Sequence, residues 1–335
     1  MVDCPVCANG ATDVKFRVSA STAAQHFVHR AANPKVNAEL ASHISDLWSG
    51  RDCEIRICRE CGFGFASPFI SGDARFYNLA YPSVSYPRMK WEFARTIDAV
   101  RASGLSSKTA LEVGAGYGFF LDQLCGAGFS PANIVAIEYN DGAIAELRGK
   151  GYAAIASDLR SEEFANQNAA FDFIFMFQVV EHMADLEALF ERLSFLLRPC
   201  GHVFIAVPNI NRTNYQEAHG SLLDMPPNHV SRWTGEAFTK LSSRHGLRLA
   251  EIEIEPFSFS VFLPMDIRYS HLRRAQELPA SFSGVVRSMR RGNARKFLEI
   301  TAMLAMIPAR LPHWLTAYRQ REKLGASLWV KLQKI

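Results

Sequence analysis

The sequence lacks the features that would place it outside the ordinary globular class. No stretch reaches 18 uninterrupted apolar residues, so no helix is expected to cross a bilayer. The first residues, Met1-Val2-Asp3-Cys4-Pro5, have neither the basic start nor the apolar run of a secretory leader, and a cytoplasmic location is expected. There is no internal repeat and no low-complexity linker. Cysteine is scarce and odd in number, 7 in 335 residues spread over a long chain, which excludes a disulfide framework. The net charge of +4 is too small to imply nucleic acid by itself, and no nucleic-acid partner is expected. The chain does have apolar substance. Hydrophobic residues make up 48%, enough to bury a sizeable core in one large domain with an appendage, or in two domains.

The chain divides into zones of different character. Residues 1–75 are cysteine-bearing, irregular and aromatic. Residues 76–264 alternate short apolar runs with helical patterns. Residues 265–324 are basic and mostly helical, with 12 Arg/Lys against 4 Asp/Glu, a local balance of about +8. Residues 325–335 hold a last strand-like run.

The middle zone predicts the fold. Strands are expected at 109–113, 134–138, 152–156, 171–177 and 202–207. Helices are expected between them at 119–126, 142–150, 161–166 and 186–197. This βαβ rhythm implies a parallel sheet covered by helices on both faces, with a ligand crevice along the strand C-termini. A helix at 235–245 and strands at 247–255 and 327–332 complete the pattern.

Leu111-Glu112-Val113-Gly114-Ala115-Gly116-Tyr117-Gly118 lies where the first of these strands meets its helix. Glycine lets the backbone turn tightly and approach a ligand with no Cβ in the way. The dinucleotide fingerprint places a small residue at 119, where this chain has Phe119, which argues against a nicotinamide cofactor. Glu138 ends the second strand and can accept hydrogen bonds from both hydroxyls of a ribose. Asp158 follows the third strand, where it can accept from an adenine amine or cap a helix. Leu159 can pack on the ring.

Together these residues resemble the class I S-adenosylmethionine-dependent methyltransferases. The likeness runs through Phe171-Asp172-x-Ile174, Glu181-His182 and Leu196-Leu197-Arg198-Pro199-Cys200-Gly201, and covers roughly residues 75–256; Cys200 stands where the family usually has Gly. The resemblance implies an α/β, Rossmann-like, seven-stranded sheet of order 3-2-1-4-5-7-6, with the last strand antiparallel. It also implies S-adenosylmethionine as cofactor. Glu112, Gly114, Ala115, Gly116 and Gly118 would lie at its methionine moiety, Glu138 at its ribose, and Asp158 and Leu159 at its adenine. Gln178 would line the cleft.

Two Cys-x-x-Cys pairs, Cys4/Cys7 and Cys58/Cys61, can each supply two thiolates to a tetrahedral zinc ion. Such a closed site would be structural. Cys53 is a spare thiol, and a set of reduced buried cysteines is the other reading. Cys-Gly-Phe-Gly-Phe-Ala-Ser-Pro ahead of Tyr77, Tyr81 and Tyr86 is similar to a methyltransferase subgroup with an N-terminal zinc-binding module, which includes sugar C- and O-methyltransferases. By that resemblance the three tyrosines either close over the cofactor or pack module against core.

Methyl transfer to a hydroxyl needs close, collinear positioning and a base for the proton. The long loop 208–233 holds Asp224-Met225-Pro226-Pro227-Asn228-His229, and His229 is the first candidate base; its alternative role is ordering the loop. His182 is the second candidate. Tyr215, Asn228 and Arg232 are candidate substrate contacts. The expected reaction is methylation of a small-molecule acceptor, a sugar or glycan-precursor hydroxyl. An rRNA or tRNA methyltransferase with a zinc module, and an inactive cofactor-binding partner protein, are the competing readings. The basic segment 265–324 suits peripheral contact with anionic lipid, a cover over an acidic or lipid-linked substrate, or a solvated helical pair.

Overall fold

The computed structural model describes residues 2–30, 32–81, 87–101, 105–219, 224–290 and 292–335. Tyr86 and Arg291 lie outside the described residues. The chain opens with β1 (Thr12–Val18), α1 (Ala20–Phe27), α2 (Pro34–Leu47), β2 (Cys53–Cys58), β3 (Gly64–Ser67) and α3 (Ala74–Ala80). The central run is α4 (Trp91–Val100), β4 (Ala110–Val113), α5 (Phe119–Gly126), β5 (Ile134–Ile137), α6 (Asp141–Gly149), β6 (Ala153–Ile155), β7 (Phe171–Phe177), α7 (Leu186–Leu196) and β8 (Leu197–Pro208). It continues through α8 (Ile210–Ala218), β9 (Ser231–Arg232), α9 (Gly235–Arg244) and β10 (Leu247–Ile254). Last come α10 (Phe259–Glu277), α11 (Phe282–Ser288), α12 (Asn293–Arg319) and β11 (Ser327–Lys334).

The main sheet has seven strands in the order β6-β5-β4-β7-β8-β11-β10. β4 through β8 pair in parallel, and β11 runs antiparallel to both β8 and β10. Counted along this sheet, the order is the expected 3-2-1-4-5-7-6 with an antiparallel last strand, a Rossmann-like methyltransferase fold. The central strand β7 is buried at all seven positions, as a parallel strand covered on both faces must be. Alternation then sorts its side chains. Phe173, Phe175 and Phe177 join the core under α4 and α5, whereas Ile174 and Met176 join the core under α7 and α9. α7 buries Leu186, Leu189, Phe190, Leu193 and Leu196, the three-and-four spacing of one helix face.

Some expected elements come out differently. The segment 161–166 forms only a 3-10 turn over Glu162–Phe164. The Asp158 side chain turns the backbone there by accepting from Arg160 N at 2.8 Å, and Ala169 at φ 51° ends the segment. The turn expected at 196–201 is absorbed into the start of β8, with Cys200 at φ 61° and a register shift against β7. The helical segment begins at Phe259, six residues before the expected boundary.

The cysteine-bearing zone is not a separate bead. Its antiparallel sheet runs β1-β2-β3-β9, and β9 is donated by the long loop after β8. Phe76 and Ala80 of α3 complete its inner core with Trp48 and Ile55. Phe63 meets Trp233 edge-on at 4.9 Å, and one buried cluster runs from Cys4 and Cys61 through Trp233 to Phe190 and Phe238 of the methyltransferase fold.

Candidate active site and cysteine cluster

The glycine loop sits at the C-terminal edge of β4. Gly114, Gly116 and Gly118 all have positive φ, 74°, 54° and 76°, which L side chains adopt at a cost. At Gly114 a Cβ would also stand 2.6 Å from Val179. The amides of Gly114 and Ala115 both donate to Ile137 O, at 2.9 and 3.1 Å, tying the loop to β5. Glu138 reinforces that tie. Its Oε2 accepts from Gly116 N at 2.7 Å, and its Oε1 accepts from Tyr139 N at 2.7 Å and Asn140 N at 2.9 Å. Three backbone donors therefore fix this carboxylate at the crevice edge.

Beside the loop is a cavity of about 200 Å³, lined by Lys90, Phe93, Glu112, Gly114, Ala115, Tyr117 and Gln178 among others. That is smaller than a usual small-molecule site, so it takes one end of a ligand and leaves the rest to the open crevice. Glu112 is 3% exposed and its Oε2 has no hydrogen-bond partner. Burial pushes its carboxyl well above the usual range, against the pull of Lys90. An orphaned buried carboxylate in a cavity end suits a ligand ammonium, and Lys90 suits a ligand carboxylate. Together they fit the amino-acid end of S-adenosylmethionine. Gln178, at φ 58°, donates from Nε2 to Glu92 Oε1 and Ser327 Oγ, both at 3.3 Å, and forms part of the same wall.

The adenine-side expectations fare unevenly. Arg160 grips Asp158 in a fork, with Nε to Oδ1 and NH2 to Oδ2 both at 2.7 Å, and Tyr139 Oη donates to it at 3.4 Å. That pairing holds the Asp158 carboxyl below its ordinary range. Leu159 is 1% exposed and packs in the core, so it offers no open face to a ring.

His182 and His229 come together from separate segments, their rings edge to face at 4.7 Å. The amides of Asn228 and His229 both return to Met225 O, a turn that folds His229 back onto Asp224. His229 Nδ1 donates to Asp224 Oδ1 at 2.8 Å, and Thr213 Oγ1 donates to Asp224 Oδ2 at 2.8 Å. Burial lowers the His229 pKa, but the Asp224 charge and hydrogen bond outweigh it, so the imidazole sits above its ordinary value. Asp224 itself is driven far down. His182 donates from Nδ1 to Asn228 O at 2.8 Å and is pushed down to about 3 by burial and by His229, so it stays neutral. Glu181 completes the group: both its oxygens are buried without a hydrogen-bond partner, His182 Nε2 stands 3.9 Å from Oε1, and burial raises its pKa to about 7. Single ligand-type atoms of Glu181, His182 and His229 all lie within 4.8 Å of one another.

The residues expected to touch substrate are used structurally. Arg232 is 5% exposed and pairs with Glu217 Oε1 at 2.7 Å and Asp224 O at 3.1 Å. Tyr215 Oη donates to His313 O at 2.6 Å, and Asn228 serves through its carbonyl. Tyr77 approaches His182 Nδ1 at 3.4 Å and so stands beside the histidine pair, with Tyr81 stacked behind it at 6.2 Å. Asp224 and Lys90 were not singled out in the sequence. An Asp five residues before a candidate base, across a proline turn, was the available signal for Asp224; Lys90 had none.

The four cysteines meet as pairs across the module. Cys4 Sγ is 3.7 Å from Cys61 Sγ, and Cys7 Sγ is 3.5 Å from Cys58 Sγ. All four sulfurs lie within 4.8 Å of one another, so the group can hold a metal ion. Cys53 lies elsewhere, at the start of β2 and in the module's inner core, with burial raising its thiol to about 12.

The sheet order and the glycine loop define a Rossmann-like methyltransferase domain. Comparison with known proteins agrees: residues 88–252 match the family described as "Methyltransferase domain". Curated relatives include ubiquinone biosynthesis O-methyltransferases of Rhizobium etli, 30% identical over 35% of this chain and 46% of that protein, and of Aromatoleum aromaticum, 29% identical over 34% and 50%. The chain thus spans about half the length of these relatives. A SAM-dependent methyltransferase from Archaeoglobus fulgidus is a structural neighbour, with TM-score 0.45 and 13% identity, over 78% of this chain and all of that one.

Proposed function

We propose that this chain transfers the methyl group of S-adenosylmethionine to a hydroxyl of a small molecule, with His229 as the base. The observation that carries the reading is the Asp224–His229 dyad at 2.8 Å, standing beyond a glycine loop whose cavity ends in an unpartnered Glu112. S-adenosylmethionine supplies an electrophilic methyl carbon whose bonding pair leaves with sulfur. Glu112 and Lys90 would hold the zwitterionic end, and Glu138 would hold the ribose. Phe93, Phe120 and Phe177 keep that wall dry.

Asp224 holds the proton on His229 Nδ1, which leaves Nε2 to take the acceptor's hydroxyl proton as the oxygen is alkylated. Neutral His182 fixes the loop through Asn228 O and keeps a polar wall at the acceptor. Acceptor chemistry divides into two hydroxyl classes. Sugar hydroxyls are proposed on the cysteine module's resemblance, and aromatic hydroxyls on the O-methylation in ubiquinone biosynthesis that the relatives are named for.

The Cys4, Cys7, Cys58 and Cys61 cluster is read as a structural zinc site. Sulfurs about 3.8 Å apart are what a tetrahedron of ~2.3 Å Zn–S bonds requires, and Cys7–Cys58 and Cys4–Cys61 lie at 3.5 and 3.7 Å.

The test is transfer of labelled methyl to panels of nucleotide sugars and of catechols or phenols, for wild type and His229→Ala. Turnover of one class, reduced about 10²–10⁴-fold in the variant, supports the reading. Equal rates in both proteins would remove His229 as base.

A further inference from the structure

The α12 helix presents two unlike faces. Arg295, Ala302, His313 and Ala317 are buried against the rest of the chain. On the other side Phe297 is 69% exposed, Ile300 45%, Leu304 58%, Leu311 49%, Leu315 62% and Tyr318 48%. Steps of three, four and seven residues place these side chains on one stripe, about 32 Å long at ~1.5 Å per residue.

No charge interrupts the stripe. The two charged residues within it, Glu299 and Arg310, turn inward. Glu299 pairs with Arg295 and Arg287, and Arg310 pairs with Asp266. The α11 helix and its flanks repeat the pattern, with Phe282 51%, Val285 52% and Met289 36% exposed. Single exposed apolar residues are ordinary, but a contiguous face of this length has a partner.

Charge decides which partner. The stripe is bracketed by Lys296 at one end and Arg319, Arg321 and Lys323 at the other, with Arg290 beside α11. Of the acids on the layer, Glu277 is exposed but pairs with Arg273, and Glu322 lies exposed at the basic end. A second copy docked along α12 would set basic end against basic end, whether parallel or antiparallel. An anionic surface meets both ends favourably. No described helix is long and apolar enough to cross a membrane. Pro308 and Pro312 also have no N–H for the carbonyls of Leu304 and Pro308, groups that the wet headgroup zone can satisfy and hydrocarbon cannot.

We infer that the α11–α12 layer seats this protein on the surface of an anionic phospholipid bilayer, lying in the headgroup plane. The layer also touches α8, the helix whose Thr213 holds Asp224. His313 O of α12 accepts from Tyr215 Oη, and two residues earlier on α8 Thr213 donates to Asp224.

The experiment is vesicle flotation of the full chain with phosphatidylglycerol–phosphatidylcholine and pure phosphatidylcholine vesicles, for three proteins. Wild type floats with the anionic vesicles and loses them at high salt. The exposed-face variant Leu304→Asp/Leu311→Asp/Leu315→Asp loses at least tenfold in partitioning. The rim variant Lys296→Glu/Arg319→Glu loses about fivefold or more per charge. Calorimetric uptake of S-adenosylhomocysteine, unchanged in both variants, certifies folding. No flotation of wild type on anionic vesicles overturns the inference, as does equal flotation of wild type and the Leu variant. A concentration-dependent dimer that the Leu variant abolishes, without lipid binding, assigns the face to a second copy and also overturns it.

Discussion

His229 is where charge and chemistry meet most directly. Asp224 raises its pKa, so as the proposed base the imidazole would be protonated and idle below that value and free to act above it. The acid limb of kcat/KM is therefore expected above pH 6.5, with activity rising as pH rises through it. Asp224→Asn removes the charge that raises the pKa, so the limb should move to lower pH while kcat falls. A limb that stays in place would mean another group titrates. Glycine 114 offers a steric counterpart. Gly114→Ala puts a side chain at φ 74° and 2.6 Å from Val179, and should cost about 1–2 kcal/mol from backbone strain alone, seen as a lower Tm.

At the scale of elements, the cysteine module and the core are joined rather than tethered. β9 completes the module's sheet, and the same short segment leads from His229 into Trp233, which packs on Phe63. A metal held by the cysteine cluster would thus be coupled to the placement of His229. Purified protein should carry about one zinc per chain, and Cys58→Ser should release it with a fall in Tm and in kcat. Full zinc content in that variant would contradict a site built on all four thiolates.

The parallel strands were readable in the sequence because buried runs such as Phe171–Phe177 have strand length and their glycine loop has a fixed place. β9 was not, because two residues carry no periodicity and their pairing with β3 spans more than 160 residues. Local signals also missed the engagement of Asp158 by Arg160 and the burial of Leu159, since both depend on how the chain turns after β6. His229 and His182 were legible singly, but their contact at 4.7 Å comes from two loops that only the fold brings together.

For the molecule as a whole, everything depends on the crevice above β4 and β5 accepting an adenosyl amino acid. Glu112 is the sharpest probe of it, because burial favours its neutral form and an arriving cation favours the charged one. Titration calorimetry of the folded chain with S-adenosylmethionine and S-adenosylhomocysteine measures that arrival. The account predicts one site per chain for both ligands, weakened about 10–100-fold in Glu112→Gln, in keeping with loss of one charge-assisted hydrogen bond. Protein that is folded by circular dichroism yet takes up neither ligand, or that binds them as well with Gln at 112, would contradict it.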